Sequence, residues 1–177
     1  MIEYPHDICI EIDTREKRPL LFPTFIHVDP GDRTGTKRIA IRTAHKALKT
    51  GDYRLASAPN SCVIERKGSQ LELIKNLFDL KDTTRVARSI KRLSCCCKHP
   101  YLLIEVSPLQ MIANNQLLDP PDLLLNRLAR LALHFNLQVL WAPTTTSNNS
   151  RRAVGTAVAH LLVASAFCSK ENTDAVD

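Results

Sequence analysis

The sequence predicts an α/β domain built on a central mixed β-sheet flanked by helices. Three observations carry this. Runs with two-residue alternation of apolar side chains fill the stretch up to Lys67, and helical stripes dominate the remainder. Two short continuous apolar runs, Tyr101–Val106 and Val139–Ala142, fall between those stripes, as buried strands do.

Ile8, Ile10 and Ile12 alternate with Cys9, Glu11 and Asp13, giving a strand with one apolar and one acid-bearing face. Pro19 and Pro23 interrupt the chain, and from there to Gly35 a loop is expected. Ile39 and Ile41 alternate with basic residues in a second strand. After the Gly51-Asp52 turn, Tyr53 and Leu55 open a third, and Cys62–Lys67 returns as its hairpin partner around Ala58-Pro59-Asn60.

Ser69 and Glu72 form a capping box, so a helix is expected from about Gln70, with Leu71, Ile74, Leu77 and Phe78 at helical spacing. Asp82-Thr83-Thr84 marks a break or an exposed turn before Val86, Ile90 and Leu93 resume the stripe. Tyr101–Val106 follows as a buried central strand. Asp119-Pro120-Pro121 starts a helix carrying Leu124, Leu128, Leu131 and Phe135. Val139–Ala142 is a second buried strand, and residues 144–150 are a loop whose Ser150 caps a final helix to Phe167. The organisation is one domain over residues 1–168 and a disordered tail over 169–177.

Composition narrows the function classes. No run approaches the roughly 18 apolar residues of a membrane span, and the first residues lack the apolar core of a signal peptide. The six cysteines show no CxxC spacing and no pairing with histidines, which argues against a zinc site and for reduced thiols in an intracellular protein. A formal charge of +6 favours an anionic partner such as a phosphate backbone. Aromatic residues are only 5 % of the chain, so recognition by base stacking is not favoured.

The most informative stretch is Gly51–Lys67. In a strand, residues two apart share a face at about 6.5–7 Å, so Glu65 and Lys67 point one way while Ile64 and Arg66 point the other. The hairpin brings Asp52 back beside them. Two carboxylates can hold Mg²⁺ through oxygen ligands, leaving positions for water and a phosphate oxygen. A neighbouring lysine can orient the attacking water or stabilise charge on the phosphoryl centre. An isolated Glu-x-Lys, by contrast, is usually a solvated strand end.

Residues 8–108 resemble the nuclease domain of the XPF-type structure-specific endonucleases, including their short phage and bacterial relatives. Asp13-Thr14-Arg15-Glu16 stands where that family has a D-x-R-E strand end. Gly51-Asp52 and Glu65-Arg66-Lys67 match its GD…ERK signature in order, and Leu102-Leu103-Ile104-Glu105 matches its downstream strand. The resemblance implies a restriction-endonuclease-like PD-(D/E)xK fold and a Mg²⁺-dependent endodeoxyribonuclease, with Mn²⁺ as a substitute, of the kind that serves DNA repair and recombination. It makes Asp52 and Glu65 metal ligands, Lys67 the catalytic lysine and Asp13 an additional active-site acid that joins them at the metal. Arg15 and Arg66 become DNA-phosphate or structural contacts.

The family pattern continues with an aspartate where this chain has Leu71. Glu72 is adjacent, one helical step of about 100° away, and is the candidate compensating acid. The alternative is a catalytically weakened DNA-binding or dimerisation module on the same scaffold. Arg85, Arg88, Lys91, Arg92 and Lys98 follow the ERK helix; Arg88, Lys91 and Arg92, three and four residues apart, form a candidate phosphate clamp. Glu105 is a second supporting acid or a plain strand terminus. The small-residue-rich final helix is either buried in the domain or the interface of a homodimer. The helix-hairpin-helix repeats and helicase region that many relatives carry do not occur in these residues.

Overall fold

The computed structural model describes residues 3–31, 35–113, 118–143 and 146–167, without the side chains of residues 80–82 and 113. The strands are β1 (Asp7–Asp13), β2 (Phe25–Val28), β3 (Lys37–Lys46), β4 (Tyr53–Leu55), β5 (Cys62–Lys67), β6 (His99–Ile104) and β7 (Gln138–Trp141). The helices are α1 (Gln70–Phe78), α2 (Leu80–Cys96), α3 (Pro108–Ala113), α4 (Leu123–His134) and α5 (Asn148–Phe167). All seven strands join one mixed sheet in the order β2-β3-β1-β4-β5-β6-β7. β4 runs antiparallel to both neighbours, whereas β1 and β3 pair in parallel, as do β5, β6 and β7.

Strand alternation sorts the core into two layers. Ile8, Ile10 and Ile12 of β1, Ile64 of β5 and Leu103 of β6 face α5, where they meet Val154, Val158, Leu162 and Val163. On the opposite face, Val63, Leu102 and Ile104 pack against Leu73 and Leu77 of α1, Ile90 and Leu93 of α2, and Leu124 and Leu128 of α4. The α1–α2 layer therefore covers the face to which Glu65 and Lys67 belong.

Several expectations need correction. The stretch between Pro19 and Gly35 is not all loop: β2 pairs antiparallel with β3, burying Ile26 and Val28. Four residues between prolines are too few for alternation to stand out. The helix break falls at Asp79 rather than at 82–84, because the Asp79 N–H reaches back to the Lys75 carbonyl and closes α1. α3 was not foreseen. β7 is an edge strand with half-buried Val139 and Leu140, not a buried one, since it pairs only with β6. Ser147 rather than Ser150 starts α5: its Oγ accepts the Ser150 N–H at 3.1 Å, while Ser150 Oγ accepts the Ser147 N–H at 3.2 Å. The tail over 169–177 lies outside the described residues.

The helix expected from Asp119-Pro120-Pro121 begins only at Leu123, after Asp122, whereas the start of α1 agrees with expectation. Ser69 Oγ accepts the Glu72 N–H at the start of α1. Cys9, Cys62, Cys95, Cys96 and Cys97 are free thiols. Among the described residues no helix is long and apolar enough to cross a membrane.

Gly155 lets α5 approach the chain closely: a Cβ there would lie 2.3 Å from the Leu21 carbonyl oxygen. Alanine gains about 1 kcal/mol of helix propensity over glycine. Gly155→Ala is nonetheless expected to destabilise the protein by about 1–3 kcal/mol through overpacking, read as a lower denaturant midpoint.

Candidate active site

The site is assembled by the end of β5 and the turn before β4. Gly51 takes φ 74°, and a Cβ there would sit 2.2 Å from Val63 Cγ1, so glycine alone fits the turn. The next residue is then pinned from both sides. The Asp52 N–H donates to the Ile64 carbonyl at 2.7 Å, and the Asp52 carbonyl accepts from the Asp13 N–H at 2.9 Å. The Arg66 N–H donates to Asp52 Oδ2 at 2.7 Å, which aims the carboxylate along the end of β5.

Glu65 and Lys67 share the α1–α2 face, and Lys67 Nζ donates to Glu65 Oε1 at 2.8 Å. Glu72 reaches in from the first turn of α1, with Oε1 3.3 Å from Lys67 Nζ and Oε2 3.1 Å from the Gly68 N–H. Asp52, Glu65, Lys67 and Glu72 thereby line one cleft of about 730 Å³. Its walls are cationic, with Arg15 and Lys49 on the sheet side and Lys75, Arg85 and Arg92 on the helical side.

Electrostatics inside the cleft are uneven. Burial and the charge of Glu65 push the Asp52 carboxyl up to about 7, against the opposing pull of the Arg66 N–H. Burial pulls the Lys67 ammonium down, but the charge and hydrogen bond of Glu65, together with Glu72 and Asp52, outweigh it and leave Lys67 above its ordinary value. An acid that resists ionisation beside a firmly charged lysine is the signature of crowded like charges.

Other expected site residues lie elsewhere. Asp13 is 0 % exposed and is not among the cleft-lining residues. It accepts from Arg15 Nε at 2.9 Å, the Arg15 N–H at 2.7 Å and the Leu48 N–H at 3.3 Å, which together hold it below the usual carboxylate range. It thus anchors Arg15, whose guanidinium stands at the cleft rim. Arg66 points to the α5 side, paired with Glu105 through Nε at 2.7 Å and Nη2 at 2.9 Å and with Glu16 at 3.0 Å. With side-chain exposures of 10 % for Arg66 and 2 % for Glu105, this is an interior ion pair. Of the basic trio on α2, Arg92 lines the cleft, whereas Arg88 and Lys91 are exposed outside it. Leu71 is 65 % exposed. Among the described residues no group of three or more His, Cys, Asp or Glu side chains is gathered as a metal site.

Sequence reasoning passed over Lys49 and Lys75, and placed Arg85 only in a general basic run. Arg85 and Arg92 are two helical turns apart, and Lys75 is one turn from Glu72, so helical spacing from the cleft acids was the available signal.

Two stability measurements follow. An aspartate whose folded-state pKa lies above its unfolded value of about 3.8 penalises the ionised folded state. That penalty is absent below pH 4 and grows as pH rises towards 7. In metal-free protein, Asp52→Asn is expected to match the parent near pH 4 and exceed it at pH 8 by on the order of 1–3 kcal/mol, read from denaturant midpoints across pH. Asp13 and Glu11, whose pKa values are lowered, act oppositely in both proteins and cancel in the difference. Glu105→Ala, which takes the bidentate partner from the Arg66 guanidinium and leaves it Glu16, is expected to cost about 2–4 kcal/mol in the same assay.

Comparison with known proteins agrees with this fold. The ERCC4 domain family model matches residues 12–148. Two structures of XPF from Aeropyrum pernix, one of them a complex with DNA, superpose with a TM-score of 0.56 each. Their identities are 20 % and 21 %, and the alignments cover 86 % and 88 % of this chain but 60 % and 63 % of theirs. The chain thus spans less than two thirds of the length of those structures. Comparison with curated protein sequences gives no match. The resemblance carried by Gly51-Asp52 and Glu65-Arg66-Lys67 is borne out: with a match over most of its length, this chain belongs to the ERCC4 domain family.

Proposed function

We propose that this domain is a metal-dependent endonuclease that hydrolyses phosphodiester bonds in structured or branched DNA. The observation that carries this reading is the meeting of Asp52, Glu65 and Lys67 in one cleft with cationic walls. The domain is taken to span residues 1–168 and to act inside the cell.

The donor set suits Mg²⁺ or Mn²⁺. Both acids offer hard oxygen ligands, and Mg²⁺ typically keeps several waters and takes only one or two protein carboxylates. The high Asp52 pKa, raised by burial and by Glu65, is the strain that a divalent charge relieves. When bound, the cation supplies Lewis-acid polarisation of the scissile phosphate and a more acidic water.

The chain's own groups do the rest. Asp52 and Glu65 orient the cation, with the Arg66 N–H fixing the Asp52 carboxylate. Lys67 presents a stable positive charge to the reacting phosphoryl group, where charge develops in the transition state. Arg15, Lys49 and Arg92 meet the flanking phosphates, which position the backbone without reading its sequence. Arg88 and Lys91 extend the phosphate contacts outside the cleft. In this reading Asp13 supports Arg15, and Arg66 braces the strand rather than touching DNA.

A DNA-binding or dimerisation module without catalysis is the second reading, favoured by Leu71 facing solvent where the related pattern has an acid. A homodimer through α5 would use its outer face, Ala153, Ala157, His160 and Ala164, since its other face is buried against the sheet. Sedimentation showing only monomer at high concentration removes that interface.

Flapped and branched DNA incubated with protein and Mg²⁺ or Mn²⁺ separates the readings. Cleavage is expected, with Asp52→Ala and Lys67→Ala each lowering kcat at least 100-fold while DNA binding is kept. Binding without cleavage on every substrate and metal supports the module. Arg92→Ala is expected to weaken DNA binding and lower its salt dependence by about one counterion.

A further inference from the structure

Both carboxylate oxygens of Glu72 are engaged. Oε2 accepts from the Gly68 N–H and Oε1 faces Lys67 Nζ, while its own N–H is taken by Ser69 Oγ. The side chain is thus fastened where β5 passes into α1, with one oxygen on the main chain and the other on the lysine. Lys67 has two anionic partners, Glu65 at 2.8 Å and Glu72 at 3.3 Å. Glu65 is the one that the proposed chemistry also asks to hold a cation. A carboxylate committed to a divalent ion attracts a neighbouring ammonium less, and the ion itself repels it. Without a second tether, loading the site would push Lys67 out of place.

We infer that Glu72 is a positioning residue that holds the Lys67 ammonium in the cleft independently of Glu65, and is not a ligand of the cation. The inference rests on the nuclease reading of the cleft. Two observations separate the tether from a ligand. Glu72 accepts through both of its oxygens, which turns its carboxylate toward Lys67 and Gly68, whereas Asp52 accepts through Oδ2 and Glu65 through Oε1. Among the described residues, moreover, no third acid gathers with Asp52 and Glu65 as a metal site. The helix also selects position 72 over 71: Leu71, about 100° around the axis, is turned to solvent.

Glu72→Gln tests this, because the amide keeps an oxygen for the Gly68 N–H and puts an uncharged NH2 donor in place of the oxygen that accepts from Lys67. With Mg²⁺ and flapped DNA, kcat is expected to fall at least tenfold. The Kd values for Mn²⁺, by calorimetry, and for DNA are expected to change less than twofold. Glu72→Asp, which retains the charge and guards against a folding defect in the amide variant, is expected to recover part of kcat. A second readout needs no turnover: in ¹⁵N spectra of the lysine ammonium groups, the Lys67 signal, assigned with Lys67→Arg, persists in Mg²⁺ for the parent and vanishes for Glu72→Gln. An unchanged kcat, a Lys67 signal retained in Glu72→Gln, or a tenfold loss of Mn²⁺ affinity would each overturn the inference. A parent protein that shows the ammonium behaviour but cuts no DNA would sink the nuclease reading and leave the tether standing.

Discussion

Two hydrogen bonds at the end of β5 hold the cleft together. The Asp52 N–H is spent on the Ile64 carbonyl, and the Arg66 N–H is spent on the Asp52 carboxylate. Both use the main chain of β5, which is pinned on its other edge by β6. An acid from one strand end is therefore fixed against an acid from another by groups that cannot rotate away. Side-chain contacts alone would leave two long, like-charged arms free to part, since like charges disfavour the ionised pair.

The same strand end balances its electrostatics across the sheet. On the α5 side, Arg66 is enclosed by Glu105 and Glu16, and its positive charge is stabilised despite burial. On the cleft side, Asp52 is half-buried, is desolvated with too little compensation and resists ionisation. One residue along the strand thus separates a satisfied interior ion pair from a strained carboxyl pair. Strain of this kind is common where chemistry is done, and here the main-chain hydrogen bonds to Asp52 hold it in place.

The walls of the cleft come from different levels of structure. Arg15 is held by Asp13 at the end of β1, so its position depends on a carboxylate that is itself out of the cleft. Arg85 and Arg92 come from α2, whose apolar stripe on Val63, Leu102 and Ile104 sets its distance from the floor. The fold shared with XPF from Aeropyrum pernix at 20 % identity rests on the two sheet-facing layers, to which the exposed Leu71 does not belong.

Much of this was legible in the chain. Alternation in Ile8–Asp13 and Cys62–Lys67 assigns each side chain to a face, and Gly51-Asp52 with Glu65 and Lys67 names the floor of the cleft, because strand periodicity and turn chemistry are local properties. Ser69 and Glu72 likewise announce the start of α1. Pairing was not legible: β2 and β7 take their identity from neighbours distant in sequence, and edge strands carry little alternation of their own. The partners of Asp13 and Arg66 were hidden for the same reason. Whether a charged residue faces a cleft or an opposite charge depends on Leu48, Glu16 and Glu105, which meet it only once the sheet has closed. Local periodicity says which way a side chain points; long-range packing says what it meets there.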